Sequence, residues 1–253
     1  MLRLAVGAAT FAALAVAWYL ATSATHFIPP IYLPTPQEVW QALTQIVVTG
    51  YADGRLHQHF LHSCGLVLMG FAAAIGIGVP LGMWMGWSWR AEAFVNPVFL
   101  LIRPIPPLAW IPLAIVWLGL GDAAKVLVIW FAAFVPAVIN SYTGVRTIER
   151  HVIEAAQSLG IHGSALVREV LVPGALPLIF TGLRLSLQAC WTTLVAGELI
   201  GAITGLGHVL YQAGLDIYPA MIVVGMASVA VAGAAMTMIL AWIEGRAMPW
   251  RAA

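Results

Sequence analysis

Charged residues are scarce in this chain of 253 amino acids: 8% are Asp, Glu, Lys or Arg, whereas 62% are hydrophobic. A mean hydropathy of +0.94 is too high for a water-soluble domain of ordinary composition, so we expect an integral membrane protein. The formal net charge is only +1, and the chain therefore lacks the basic surface that binds nucleic acid by releasing counterions. Nucleic acid is excluded as a principal partner.

Cysteine is scarcer still. The sequence has two, Cys64 and Cys190, and both lie in apolar runs where neither a disulfide framework nor a thiolate metal site is supported. The densest group of potential metal ligands is formed by His57, His59 and His62. A zinc site needs further ligands, and the acid nearest to these histidines is Asp53. We therefore expect neither redox chemistry nor a bound metal.

Long uncharged runs divide the chain, and a membrane-spanning helix needs about 20 mostly apolar residues. We predict about six such helices, at residues 4–24, 60–87, 94–119, 125–143, 176–201 and 219–243. Strand-period alternation is absent from the sequence, so we expect an all-α membrane protein. The whole chain, 1–253, is predicted to form a single transmembrane domain, with an outer segment at 25–59 and core spans within 60–243.

The first apolar run has an alternative interpretation. Arg3, the run itself and Thr22-Ser23-Ala24 together are compatible with a cleavable signal peptide. The run exceeds the length of about 7–15 residues that is typical of a signal-peptide core. A retained membrane span is therefore the preferred interpretation.

The distribution of Lys and Arg predicts the orientation, because cytoplasmic loops carry the excess of these residues. The cations predicted to be cytoplasmic are Arg3, Arg90, Arg146, Arg150, Arg168, Arg246 and Arg251. Only Arg55 and Lys125 fall on the outer side, so both termini are expected in the cytoplasm. Arg103 and Arg184 fall within spans, where a charge usually faces protein or a wet cavity.

The outer segment contains a helix-start signal. Thr35 is a plausible N-cap, Pro36 suits the first helical position, and Glu38 completes a capping box. The apolar residues that recur at helical spacing behind it are Val39, Trp40, Leu43, Ile46 and Val47. This pattern predicts a short amphipathic helix lying on the membrane face, with an ordered connector as the alternative.

The most informative polar segment runs from Arg146 to Pro173. Its residues Glu154-Ala155-Ala156, Gly160 and Pro173 fit the spacing E-A-A-x3-G-x9-I-x-L-P, with Val at both aliphatic positions. This spacing resembles the cytoplasmic loop of permease subunits of binding-protein-dependent ABC importers. The resemblance implies a type I importer fold in which the loop at 146–173 couples the permease to an ATPase.

The residues of this segment predict its local structure independently of the resemblance. His151–Leu159 can form a short helix that Gly160 stops as a left-handed cap, and small alanines on its face let another protein approach closely. We expect a second short helix at Ser164–Val172, ended by Pro173. The resemblance implies a docking role for Glu154, Ala155, Ala156, Ser158, Leu159 and Gly160.

Lysine occurs once, at Lys125, and its neighbours do not form the G-x-x-x-x-G-K-[ST] loop that holds nucleotide phosphates. The chain therefore cannot hydrolyse ATP by that route, and we expect it to be no enzyme. The implied ATPase, with its ATP and Mg²⁺, must be a separate subunit. No cofactor is expected in this chain.

A second set of motifs extends the resemblance over nearly all of the chain from about Leu33. It comprises RPIPPLAWIP at 103–112, TGLR at 181–184 and LVAGELI at 194–200. These motifs look like the nitrate/sulfonate/taurine branch of the importer permeases and, within it, resemble taurine permeases. The resemblance implies import of a small organic anion or zwitterion, most specifically taurine or another sulfonate, with nitrate or another small solute as the alternative.

The prolines at 104–112 must kink or unwind the third span, because each removes a backbone donor. A transport pathway is one setting that tolerates such irregular backbone. Arg103 could attract a sulfonate there, or it could brace the broken backbone or pair with Glu198. The candidate pathway residues are Arg103, Trp110, Arg184, Trp191 and Glu198, although tryptophans in spans more often serve packing.

The expected assembly follows from the resemblance. It places two permease copies in the bacterial inner membrane, with two cytoplasmic ATPase subunits and a periplasmic binding protein. Alternating access would then be a rigid-body rocking of the two permeases. An ion-coupled secondary transporter is the alternative from another class, but the sequence shows no clear internal repeat and few intramembrane acids.

Overall fold

A computed structural model describes residues 2–25, 27–199 and 202–251 of the chain. Within these ranges the backbone forms helices, turns and connecting segments, without a strand. The predicted all-α architecture is confirmed. The predicted end of the fifth helix, at 200–201, and the terminal residues 1, 252 and 253 lie outside the described ranges.

Eleven α-helices occur within the described part of the chain. Their bounds are α1 Leu2–Tyr19, α2 Pro36–Val48, α3 Leu56–Trp87, α4 Trp89–Ile102, α5 Ile111–Leu118, α6 Asp122–Arg146, α7 Arg150–Ser158, α8 Ser164–Leu166, α9 Val172–Glu198, α10 Leu206–Leu215 and α11 Pro219–Ala247. Short π-helical turns follow α1 and α8, at Leu20–Ala24 and Val167–Leu171. A 3-10 turn at Pro107–Trp110 precedes α5.

Four continuous helical stretches are long and apolar enough to cross a membrane: Leu56–Trp87, Asp122–Arg146, Ser164–Glu198 and Pro219–Ala247. A fifth crossing is available if α4 and the helix Pro107–Leu118 count as one broken span. The predicted first span, 4–24, coincides with α1 and the π turn that follows it. The apolar helix within this stretch, Ala12–Ala24, is shorter than a full membrane crossing requires. The predicted core spans therefore lie within a few residues of the observed helices.

The predicted break in the third span is confirmed. The two helical pieces on either side of it meet at an angle of 84°. α4 ends at Ile102, Pro106 is extended with ψ of 136°, and α5 begins after the 3-10 turn. The prolines explain the bend, because each one lacks the backbone N–H that a continuous helix would use as a hydrogen-bond donor.

The start of α2 matches its sequence signal in full. The Glu38 N–H donates to Thr35 Oγ1 at 3.2 Å, and the Thr35 N–H donates to Glu38 Oε2 at 2.8 Å. This is the reciprocal capping box, with Pro36 at the first helical position. The sequence-based start of this helix is therefore correct to the residue.

The predicted end of the second cytoplasmic helix at Pro173 is wrong. The helix that starts at Ser164 continues to Glu198, because the π turn at Val167–Leu171 precedes the proline. In this turn the Val172 N–H donates to the carbonyl of Val167, five residues back rather than four. The altered spacing accommodates the proline ring that would otherwise clash with a helical carbonyl.

α10 is a helix that the sequence pattern did not reveal. It lies in a unit formed by Met1–Ser63 and Ala202–Val231. Its first turn is capped from the start of α3: the Gly205 N–H donates to His59 Nδ1 at 3.1 Å, and the Leu206 N–H donates to Ser63 Oγ at 2.9 Å. His59 and Ser63 are both fully buried, so His59 serves as a structural cap.

The core of this unit joins α2 to α10 and the start of α11. The buried residues of that core are Ala42, Ile46, Val209, Ala213, Ala220, Met221 and Val224. Val39 and Leu43 pack against them, whereas Trp40 and Val47 remain exposed. The apolar face of α2 is thus only partly available to a membrane surface, since much of it packs on protein.

A hydrogen bond from the Tyr51 hydroxyl to Asp216 fastens the loop before α3 to the end of α10. Burial, together with this bond to a carboxylate, raises the pKa of Tyr51 above its ordinary value. Tyr51 therefore stays protonated and donates throughout the physiological pH range.

The second unit, Cys64–Gly201 and Ala232–Ala253, packs α3, α6 and α9 side by side. Small residues allow the close approach of α3 to α6, as is common between membrane helices. A Cβ at Gly82 would lie 2.4 Å from the carbonyl oxygen of Val138 and 2.9 Å from Ser141 Cβ. A Cβ at Gly76, one and a half turns away, would meet no atom within 4 Å.

We expect Gly82→Ala to destabilise the helix pair and Gly76→Ala to be harmless. Overpacking a tight contact costs about 1–3 kcal/mol, whereas an unobstructed Gly-to-Ala change in a helix is neutral or favourable. Thermal unfolding in detergent, followed by the monodisperse fraction on size exclusion, measures both variants. Equal melting temperatures for the two variants would contradict the close contact between α3 and α6.

Candidate functional site

The predicted cytoplasmic loop contains a helix, α7, with the predicted stop. The Gly160 N–H donates to the carbonyl of Gln157 at 3.0 Å, and the Ile161 N–H donates to the carbonyl of Ala156 at 3.0 Å. These two bonds form a Schellman motif, which requires a left-handed residue at Gly160, and its φ is +86°. The predicted glycine cap is confirmed as a backbone feature.

The six residues assigned to this loop do not share one face. Glu154, Ala155, Ser158, Leu159 and Gly160 are exposed. Ala156 instead is only 7% exposed, and Ile153 packs against the cluster of Val145, Leu171, Ala175 and Ile179. Ala156 therefore belongs to the face that holds α7 on its own chain.

The outward face of α7 carries an apolar stripe. Val152, Ala155 and Leu159 recur at helical spacing, and Leu159 is 81% exposed at the end of the helix. Around this stripe, Arg150 pairs with Glu154 at 2.8 Å and His151 with Glu149 at 3.1 Å. Such exposed pairs add little stability, so the exposed leucine is the distinguishing feature of this surface.

A cluster that the sequence did not reveal precedes the loop. Glu92, in the first turn of α4, pairs with Arg146 at the end of α6 and accepts a hydrogen bond from the Tyr142 hydroxyl. The Arg146 guanidinium also lies 5.5 Å from the centre of the Tyr142 ring. These contacts fix the end of α6 to α4 at the start of the predicted cytoplasmic loop, 146–173.

The five candidate pathway residues occupy different environments. Arg103 caps the end of α4, is exposed, and makes no side-chain hydrogen bond or ion pair with other described residues. Among the residues that the structure describes, Arg103 therefore neither braces the broken backbone nor pairs with Glu198 of its own chain. The guanidinium is available to an external partner.

Both candidate tryptophans make packing contacts. Trp110 stacks on Phe131, with ring centres 4.1 Å apart and planes within 10°. Trp191 is 7% exposed and its ring lies beside Gly233 of α11. Packing of this kind is the usual role of aromatic residues in membrane spans.

Arg184 and Glu198, both on α9, differ in exposure. Glu198 ends the helix and is buried at 1% exposure, whereas the Arg184 side chain is 47% exposed. Arg184 forms an ion pair with Glu244 of α11, whose side chain is 12% exposed. This partner, far along the chain, could not be identified from the sequence motif around Arg184.

Comparison with known proteins reveals extensive similarity. Residues 78–249 match the family described as "Binding-protein-dependent transport system inner membrane component". The taurine transport system permease protein TauC of Escherichia coli K12 is 37% identical over 243 residues, covering 95% of this chain and 88% of TauC. The putative aliphatic sulfonates transport permease protein SsuC of Bacillus subtilis is 30% identical, covering 87% and 78%.

A relative with a different named substrate is the bicarbonate transport system permease protein CmpB of Synechococcus elongatus, 30% identical with 90% and 84% coverage. Among solved structures, a chain of the inward-facing MetNI methionine ABC transporter superposes with a TM-score of 0.63. It is 22% identical and covers 77% of this chain and 94% of that chain, which supports the fold.

This chain therefore belongs to the family of inner-membrane components of binding-protein-dependent transport systems. It is a multi-pass permease of an ABC importer with the type I fold, in the branch that contains taurine, sulfonate and bicarbonate permeases. The resemblance read from the sequence motifs is confirmed.

We expect Arg184→Met to lower the melting temperature of the purified permease and Arg103→Met to leave it unchanged. Removing one partner of a buried ion pair costs about 3–5 kcal/mol, a figure that the half exposure of Arg184 reduces. The change at Arg103 removes no hydrogen bond or ion pair to the described residues. Thermal unfolding in detergent measures both variants. A larger loss of melting temperature in Arg103→Met than in Arg184→Met would indicate that Arg103 braces the broken span.

Proposed function

We propose that this permease imports taurine or another small organosulfonate. The observation that carries the proposal is the 37% identity to a taurine permease over 95% of the chain, supported by similarity to sulfonate permeases. The named substrates of these relatives, bicarbonate included, share an anionic group on a small solute. Nitrate or another small anion is the alternative within this class.

The arginines supply chemistry that suits such a substrate. Planar guanidinium groups bind anionic oxygens through several N–H donors and keep their charge at any physiological pH. Arg103 stands exposed at the break in the third span and could meet an anion there. Trp110, Trp191 and Glu198 remain pathway predictions for which their packed positions give no direct support.

Energy is proposed to come from a separate ATPase subunit, which binds ATP and Mg²⁺. The chain itself lacks the phosphate-binding loop. The outward stripe of α7, with Leu159 at its end, offers the exposed apolar anchor that a cleft on such a subunit would bury. Of the residues assigned to docking, Glu154, Ala155, Ser158, Leu159 and Gly160 are positioned for contact, and Ala156 would act by holding α7 in place.

The proposed assembly contains two copies of this permease, two ATPase subunits in the cytoplasm and a substrate-binding protein in the periplasm. Both chain termini are proposed to be cytoplasmic, because the loops that carry most Arg residues then face inward. Rigid-body motion of the two permeases would open the pathway to either side in turn.

The direct test is uptake of radiolabelled taurine by cells that express this permease together with its proposed ATPase and binding-protein partners. We expect saturable uptake that stops when the ATPase is inactivated and persists when ionophores collapse ion gradients. Uptake that follows the ion gradient instead would identify a secondary transporter. Uptake of nitrate or bicarbonate, with none of taurine, would reassign the substrate.

We expect Gly160→Val to reduce uptake severely and Gly160→Asn to preserve most of it. A β-branched residue in the left-handed region is strained by about 1–2 kcal/mol, whereas Asn visits this region more readily. A Cβ at Gly160 would meet no atom of this chain within 4 Å, so backbone strain is the main difference between the two variants within the permease itself. Substrate-stimulated ATP hydrolysis and uptake per assembled complex give the readout, and normal coupling in Gly160→Val would remove the proposed docking role.

A further inference from the structure

One face of α9 is polar although the helix crosses the membrane. The exposed residues between Val172 and Glu198 are Gly174, Thr181, Arg184, Leu185, Gln188 and Thr192. Four of these six are polar. Because Thr181, Arg184, Gln188 and Thr192 are separated by three, four and four residues, they lie along one side of the helix, and we call them the polar stripe.

The exposed faces of other spans differ. From Leu61 to the end of α3 every exposed residue is apolar, and the large ones are Leu61, Leu68, Met69, Ile77, Trp84 and Trp87. The large hydrophobic residues exposed on α11 are Met226, Val231, Met238, Ile239, Trp242 and Ile243. These are the faces expected next to acyl chains. All three helices are long enough to cross a membrane, but only α9 exposes an arginine and a glutamine near its middle.

Lipid is an unfavourable neighbour for the polar stripe. An arginine at the centre of a membrane helix costs about 2.5–3.5 kcal/mol on insertion scales, and such residues almost always face a bundle interior or a water-filled cavity. About half of the Arg184 side chain stays exposed despite its ion pair. The exposed half therefore faces water or another protein in the assembled transporter.

We infer that the polar stripe lines the aqueous pathway and that Arg184 and Gln188 form an anion-binding site on it. This inference rests on the proposed import of a small anion and names the residues that would bind its charged group. Thr181 and Thr192 direct their hydroxyl protons to the carbonyls of Pro177 and Gln188, at 2.9 and 3.1 Å. The Arg184 guanidinium and the Gln188 amide, one helical turn apart, are therefore the donors that remain for an anionic oxygen.

Glu244 is the positioning residue of this site. Its carboxylate pairs with Nη2 of Arg184, which leaves other N–H donors of the guanidinium on the exposed side. Its negative charge also weakens the net attraction for an anion. A transport site needs this balance, since a substrate held too tightly could not leave.

The site lies near the middle of the span. By helical rise, Arg184 lies about 18 Å from Val172 at the start of α9 and about 21 Å from Glu198 at its end. In the proposed orientation the substrate therefore meets this arginine about halfway across the membrane.

Cysteine reactivity tests which face meets water. In a Cys64→Ser/Cys190→Ala background, we expect Thr181→Cys, Gln188→Cys and Thr192→Cys to react with a small water-soluble methanethiosulfonate applied to inside-out vesicles of the assembled transporter. Leu68→Cys and Ile239→Cys, exposed on apolar faces, are matched controls and should react at least tenfold more slowly. Reaction of stripe cysteines at the control rate would overturn the pathway assignment. Cross-linking of Gln188→Cys to its counterpart in a second copy, without reaction of the stripe cysteines with the water-soluble reagent, would assign the stripe to a dry permease interface instead.

Substrate protection tests the anion site without requiring taurine uptake. We expect millimolar isethionate, a sulfonate, to slow labelling of Thr181→Cys, which keeps both proposed donors, at least threefold, while uncharged ethylene glycol has no effect. The double variant Arg184→Gln/Glu244→Gln leaves no unpaired charge and should abolish this protection while keeping the transporter assembled. Arg246→Gln, an arginine stacked on Trp242 at the end of α11, is the control and should retain protection.

The outcomes separate this inference from the proposed function. Labelling without any protection by isethionate, or protection that survives the double variant, would overturn the anion site even if the wild type imports taurine. Charge-dependent protection together with absent taurine uptake would support the anion site and reject taurine as the substrate. Uptake by Arg184→Lys above that of the double variant, with equal ATP hydrolysis, would further support a role for the charge itself.

Discussion

The hydrocarbon core of a membrane offers no partner for backbone N–H and C=O groups, and most features of this permease follow from that constraint. Continuous helices satisfy their own backbone, which accounts for the four long spans. Wherever the helical pattern is interrupted, the structure provides a specific substitute. The π turn before Pro173 moves a hydrogen bond by one residue, and His59 and Ser63 cap the buried start of α10.

The same constraint acts on charge. Most Lys and Arg residues lie outside the spans, and each exception carries information about its surroundings. Arg184 is paired with Glu244 and half exposed, while Arg103 stands unpaired among the described residues at an 84° bend. Arg103 lies at a helix break and Arg184 lies on a continuous helix, and both are exposed cations within spans, as is expected where an aqueous route for an anion crosses the protein.

Features that depend on neighbouring residues could be predicted from the sequence. The Thr35 capping box, the Gly160 cap and the proline break each follow from chemistry within a few residues, and each was placed correctly. Features that depend on distant partners could not. Nothing near Arg184 in sequence identifies Glu244, and nothing near Glu92 identifies Arg146. Pro173 misled the prediction, because a π turn that absorbs a proline has no reliable local signal.

The continuity of α9 links the two surfaces to which a function has been proposed. The helical stretch Ser164–Glu198 begins four residues after Gly160, within the predicted coupling loop at 146–173, and carries Arg184 about 30 Å further along by helical rise. The π turn preserves the helix where a break at Pro173 would have inserted a joint. A displacement of α7 by an ATPase would therefore reach the polar stripe through one continuous helix, and Glu244 would resist or permit the resulting shift of Arg184 against α11. Coupling and anion binding would then involve the same continuous helix.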